Sequence, residues 1–170
     1  MADAAREPGT WTFEPLSAED ALECARHMAS SEPWITLQRD VTSALSVLRN
    51  PEKDIWVARD LGAIAGFIIL DLGGPFPGYI QTIYVRPESR SQGLGTALID
   101  LAEDRIFRGS PNVFMCVSSF NPAARRLYER LGYEVVGTLR SYVVPEHDEI
   151  LLRKTRGSWT EFRRGLRLTR

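Results

Sequence analysis

The chain reads as a mixed α/β domain built on a single sheet. Apolar residues recur at helical spacing in four separate stretches, and short apolar runs of strand length fill the intervals. Glycine or proline stands at most of the junctions. A length of 170 residues leaves room for one sizeable core and hardly for two.

In chain order, Ser17 is placed as an N-cap, followed by Ala18, Ala21, Leu22, Ala25 and Met28 at helical spacing. Ser30-Ser31-Glu32-Pro33 ends that helix in a loop. From Thr36, the residues Leu37, Val41, Ala44, Leu45 and Leu48 form a second apolar stripe, which Asn50-Pro51 stops. The period then changes. Asp54–Asp60, Ala63–Leu70 and Tyr79–Val85 predict three strands, the first two joined through Leu61-Gly62 as an antiparallel hairpin. Leu94, Ala97, Leu98, Leu101, Ala102 and Ile106 predict a third helix, and Val113–Val117 a further strand. Ala124, Leu127, Tyr128 and Leu131 predict a fourth helix that closes at Gly132. Tyr133–Val144 and Ile150–Leu152 supply two late strands.

Lys and Arg total 21 against 22 Asp and Glu, a net charge of -1, with 44% hydrophobic residues. That balance excludes a disordered chain and a dedicated polybasic nucleic-acid binder. The charge is nevertheless uneven. Residues 153–170 carry seven basic residues against Glu161 alone, which leaves -7 for the rest. Trp159 and Phe162 stand among these arginines and could stack on bases, so nucleic acid is a weaker reading of the tail. Cys24 and Cys116 lack any metal-ligand or C-x-x-C spacing, so no metal is expected and a reducing, cytoplasmic location fits. Met1–Gly9 has no apolar run, and Ala63–Leu70 falls short of the ~20 residues that span a bilayer, so neither an export signal nor a membrane contact is expected.

The most informative segment lies between the third strand and the third helix. Arg90-Ser91-Gln92-Gly93-Leu94-Gly95-Thr96 leaves bare backbone at a helix start. Free N–H groups and the positive helix end there suit a phosphate, and missing Cβ atoms allow close approach. A Walker loop needs Gly-Lys-Ser/Thr, and a dinucleotide fingerprint needs a third glycine where Leu98 stands, so neither applies. Further on, Asn121-Pro122-Ala123-Ala124-Arg125-Arg126-Leu127-Tyr128-Glu129-Arg130-Leu131-Gly132-Tyr133 opens with a cap, has Pro at the first helical position and closes on glycine.

With these two motifs in this order, the chain resembles the GNAT superfamily of N-acetyltransferases. Arg90–Gly95 matches its R/Q-x-x-G-x-G/A motif, and Asn121–Tyr133 matches N-x-x-A-x-x-L-Y-E-x-x-G-F/Y; the chain looks bacterial-type and in the second motif resembles the ribosomal-protein N-terminal acetyltransferases. The resemblance implies a mostly antiparallel sheet of six to seven strands flanked by four helices, with strands 4 and 5 splayed around acetyl-CoA. Residues 1–155 would form the acetyltransferase domain and 156–170 a basic C-terminal tail. The implied cofactor-binding residues are Ile83, Tyr84 and Val85 by main chain, Arg90, Ser91, Gln92, Gly93, Leu94, Gly95 and Thr96 at the diphosphate, and Asn121. Arg86, Arg125 and Arg126 lie near them in the chain.

The implied reaction is direct attack of an amine on the acetyl thioester. Tyr128 stands at the family's general-acid position. The base is where the chain departs, because the glutamates of ribosomal-protein and histone-type members fall at Cys116 and near Tyr79, neither of them acidic. Glu146-His147-Asp148-Glu149 holds the nearest substitutes, with His147 in the right titration range. Glu32 and Trp34 lie where the superfamily shapes the acceptor side. The expected partner is an amine, on a protein, a peptide or a small molecule, and a homodimer is one possible assembly. A non-catalytic acyl-CoA sensor is the rival reading, supported by the missing carboxylates.

Overall fold

The computed structural model describes residues 11–168, with side chains through residue 165. Met1–Gly9, read for an export signal, lies outside the described residues, as does Arg170 of the basic tail. The strands are β1 (Thr12–Pro15), β2 (Asp54–Asp60), β3 (Ala63–Asp71), β4 (Tyr79–Val85), β5 (Asn112–Ser118), β6 (Glu134–Val144) and β7 (His147–Thr155). The helices are α1 (Ala21–Ala29), α2 (Val41–Leu48), α3 (Leu94–Ile106), α4 (Pro122–Arg130) and α5 (Trp159–Leu168). The strands form one sheet in the order β1-β2-β3-β4-β5-β7-β6, antiparallel throughout except for β4 and β5.

Local chemistry accounts for most boundaries. The Asp40 carboxylate accepts from Ser43 N–H at 2.7 Å and starts α2, so the apolar Leu37 belongs to the preceding turns and not to the helix. Ser17 lies one turn too early to cap α1. Its hydroxyl donates to the Asp20 carboxylate at 2.6 Å, and Asp20 is the N-cap. Asn121 caps α4 as expected, its side-chain oxygen accepting from Ala124 N–H at 3.2 Å. β1 has no local signature, because its four mostly exposed residues become a strand only by pairing with β2. Among the described residues the four expected helices become five, because the basic tail holds α5. There the Trp159 and Phe162 rings meet edge to face, and the Arg163 guanidinium lies 5.4 Å from the Trp159 ring centre.

Two buried layers cover the sheet. One holds Leu94, Leu98, Ile99, Ala102 and Ile106 of α3 against Ile68, Leu70, Ile80, Met115 and Leu152. The other holds Cys24, Ala25 and Met28 of α1 and Ala44 and Leu48 of α2 against Val57, Phe67, Ile69 and Tyr84. Side chains on a regular strand alternate between such layers, and β4 breaks the rule. Ile80 lies in the α3 layer, yet so do Ile83 and Val85, while Tyr84 faces the α1 layer. The register supplies the cause: Leu70 pairs with Ile80 and Ile69 with Thr82, leaving Gln81 as an extra residue in β4. A bulge of this kind reverses which face follows it and bends the strand. At the same level β4 leaves β5, since only Tyr79 and Ile80 pair with Phe114 and Met115.

Candidate active site

Beyond Ile80, β4 keeps its ladder to β3, but on the β5 side its main chain borders an open gap. Backbone groups at such an edge are ready partners for an extended chain. At the far end of the gap α3 begins. Gly93 occupies its N-cap at φ 91°, a left-handed conformation that favours glycine, and no side chain caps the helix. The first intrahelical donor is Ala97 N–H, to the Gly93 carbonyl at 3.0 Å, so the N–H groups of Leu94, Gly95 and Thr96 remain for an anion. A Cβ on Gly95 would stand 3.6 Å from Leu127 of α4 and 3.9 Å from Val85 of β4. Position 95 therefore lies where β4 and α4 flank the helix start.

A cavity of about 460 Å³ opens on the other stretch of the gap. Met28 and Trp34 reach it from the α1–α2 side, and Asn121 and Tyr128 from α4 on the opposite side of the sheet. Both sides can meet there because β4 and β5 have parted. Tyr79 of β4, Cys116 and Ser118 of β5, Tyr142 of β6 and Glu149 of β7 complete the wall. Burial pushes the Tyr128 phenol up to about 12, so it holds its proton over the whole working range of pH.

The register explains why Glu149 belongs to this wall. Ser118 pairs with Glu149, and Cys116 with Leu151. Directly paired residues point to the same face, so Glu149, Ser118 and Cys116 line the cavity, while Met115, Ile150 and Leu152 enter the core behind. Ser118 Oγ donates to Glu149 Oε1 at 2.6 Å. Burial raises the Glu149 carboxyl above the usual carboxylate range, and the Ser118 hydrogen bond and the nearby His147 partly offset it. The Tyr79 phenol and Cys116 thiol beside it are also raised, chiefly by burial, and stay neutral.

The Acetyltransferase (GNAT) family model matches residues 17–133, more than half of the chain. The chain belongs to the GNAT family. A mycothiol acetyltransferase of Salinispora tropica is 30% identical over 146 residues, covering 70% of this chain but only 46% of its own length. The crystal structure of the ribosomal-protein-S18-alanine N-acetyltransferase of Escherichia coli has a TM-score of 0.69 at 22% identity, covering 88% of this chain and 96% of that one. An acetyltransferase of Salmonella typhimurium solved with acetyl-CoA has a TM-score of 0.70 at 17% identity, covering 88% and 96%. These two likenesses are likenesses of fold. Acetyl transfer is the chemistry of the family, and the parted β4 and β5 belong to the GNAT fold.

In this GNAT chain the predicted diphosphate residues come together at the start of α3, with some roles changed. Arg90 Nε donates to the Val85 carbonyl at 3.1 Å, tying the turn to the end of β4. The Gln92 amide donates to the Glu88 carbonyl at 2.8 Å, so both side chains brace the turn. Leu94 is buried in the core, and the Tyr84 ring packs against Phe67 and His27, leaving main chain as what these two offer a ligand. Arg125 pairs with Glu129 and Arg86 with Glu88, while Arg126 has no partner among the described residues. The groups suit acetyl-CoA: an unpaired strand edge for the pantetheine amides and uncapped N–H groups for the diphosphate.

On the acceptor side, Trp34 lines the cavity and Glu32 does not. The Glu32 carboxylate instead accepts from Thr36 N–H at 3.2 Å within its own loop. His147 begins β7 with its ring centre 4.6 Å from that of Phe120, outside the cavity wall. Glu149, two residues on and named with it among the substitutes for the base, does line the wall.

Proposed function

We propose that this protein is an acetyl-CoA-dependent N-acetyltransferase that acts on a primary amine by direct attack. The acceptor class is a protein or peptide α-amine or a small-molecule amine. The observation that supports this most is the meeting, in one cavity, of the Tyr128 phenol with the parted strands. Residues 1–155 are taken as the catalytic domain, with 156–170 as a basic C-terminal tail that holds α5. Two free thiols, Cys24 and Cys116, fit a reducing compartment, so the reaction is assigned to the cytosol.

In this mechanism the edge of β4 at Ile83–Val85 binds the pantetheine arm, and the N–H groups of Leu94–Thr96 hold the diphosphate. Bound acetyl-CoA supplies the acetyl thioester. Main-chain N–H groups of β4 polarise the acetyl carbonyl. Tyr128 supplies a proton at its phenolic oxygen. The same dry surroundings that raise the phenol also raise a thiolate beside it, so donor and acceptor shift together.

The test is thiol release from acetyl-CoA against a panel of free-amine peptides, polyamines and aminoglycosides, with CoA binding measured in parallel. The expected result is turnover with at least one amine. Tyr128→Phe should keep CoA affinity and lose ~100-fold or more of that turnover, the usual scale of a general acid. Unchanged turnover removes Tyr128 from the mechanism. Tight CoA binding without activity toward any amine favours the sensor reading.

A further inference from the structure

The geometry points to Glu149 as the catalytic base of this enzyme, the group that takes the proton from the acceptor amine. The inference rests on the reading that the acceptor is an amine. Among the described residues the cavity wall has two carboxylates, Asp71 and Glu149. Asp71 is already committed, with Lys53 Nζ donating to one oxygen and Gly73 N–H to the other. Glu149 is 5% exposed, and Ser118 holds only its Oε1. Among the described residues no donor reaches Oε2.

The groups around it leave Glu149 as the proton acceptor. Tyr79 of β4 and Cys116 of β5 are neutral acids. Tyr142 of β6 is a rim residue, 66% exposed, and Tyr128 of α4 keeps its proton for the leaving sulfur. His147 of β7 flanks Glu149 outside the wall, Lys53 neutralises Asp71, and Arg39 is the remaining charged residue of the wall. A carboxylate raised by burial is a stronger base than one in water, and a protonated amine entering the cavity meets it as the unpaired negative group.

The step balances. Glu149 takes one proton from the ammonium and returns it to solvent, leaving the nitrogen lone pair free. The C–N bond forms and the C–S bond breaks with its electron pair on sulfur, which takes the Tyr128 proton. Glu149 then takes the surplus proton from the acylated nitrogen and passes it to solvent, and Tyr128 is reprotonated from solvent. One proton is released per acetyl group moved.

The test compares the full chain with Glu149→Gln, Glu149→Asp and Ser118→Ala, using the best amine of the panel and free CoA as binding probe. Glu149→Gln should lose ~100-fold or more of kcat/KM at pH 7, keep its CoA Kd within about twofold, and lose the acid limb of the pH profile. Glu149→Asp should restore part of the rate. Ser118→Ala should move the acid limb to higher pH, because the donor that favours the charged carboxylate is gone. A Glu149→Gln enzyme within about threefold of the parent, or one that keeps the acid limb, overturns the assignment, as does loss of CoA binding. Carbon NMR titration of the Glu149 carboxyl gives a readout independent of turnover: titration at the ordinary ~4.3 overturns it even if no amine is turned over. Absence of turnover in the parent counts against the amine reading alone.

Discussion

Gly95→Ala separates the two reasons a glycine could stand at the start of α3. If Gly95 served packing, alanine would clash; the added Cβ instead meets Leu127 at 3.6 Å and Val85 at 3.9 Å, both ordinary contacts. Alanine is also the better helix former, by up to ~1 kcal/mol in a helix interior and by less this near the end. Stability should therefore stay level or rise by a few tenths of a kcal/mol. Gly93→Ala, two residues earlier, must hold φ at 91° and should lose about 1–2 kcal/mol.

Affinity for CoA should move the other way. The new methyl at position 95 stands between β4 and α4, beside the N–H groups that would hold the diphosphate. Loss of one charge-assisted hydrogen bond is worth about 1.5–3 kcal/mol, or roughly tenfold to a hundredfold in Kd. Urea unfolding and calorimetric titration with CoA give both numbers on one preparation. A Gly95→Ala protein that binds CoA within twofold of the parent refutes the anion role. One that loses more than ~1 kcal/mol of stability shows that Gly95 serves packing after all.

Two further outcomes follow from the fold. Gly66→Ala would set a Cβ 2.6 Å from the Tyr84 carbonyl and 3.3 Å from Leu94 and Leu98, forcing β3, β4 or α3 to shift. A loss of about 1–3 kcal/mol in urea is expected, and an unchanged midpoint would show that α3 does not depend on this close approach. The Asp20 carboxyl is held below its usual range by Ser17 first and by Arg59 as well, against the opposing effect of burial. Its contribution is full above the unfolded value of ~3.9 and is lost as pH falls through the lower folded value, so Asp20→Asn should flatten the fall of Tm with pH below about 4. Parallel Tm curves for parent and variant would show that Asp20 adds nothing there.

What the sequence made legible was whatever is written locally. The two motifs fall on a strand-to-helix turn and a capped helix, where glycine, proline and asparagine act within a few residues of themselves. β4 and the second motif's helix therefore appear at the expected positions. β1 and the face to which Glu149 points were not legible, because a four-residue strand and the face of a strand residue are decided by the neighbouring strand. His147 and Glu149 stand in one short segment, where titration range alone favours His147. Yet the pairing of Ser118 with Glu149 puts the second, and not the first, in the cavity wall.

One structural event, the extra residue Gln81 in β4, underlies both halves of the site. It turns Ile83 and Val85 toward the α3 layer at the level where pairing with β5 stops, so an edge is exposed beside α4 without exposing the core. The same parting lets Tyr128 reach a cavity whose other wall is β5 and β7. An acid from one side of the sheet and a carboxylate from the other can then face one substrate, which an unbroken sheet would forbid. With β5 so close to β7 in register, a carboxylate at Ser118's partner reaches the space that a side chain at Cys116 also lines. On the proposed reading the base therefore need not stand at position 116, because the fold offers the adjacent strand as a second place to mount it.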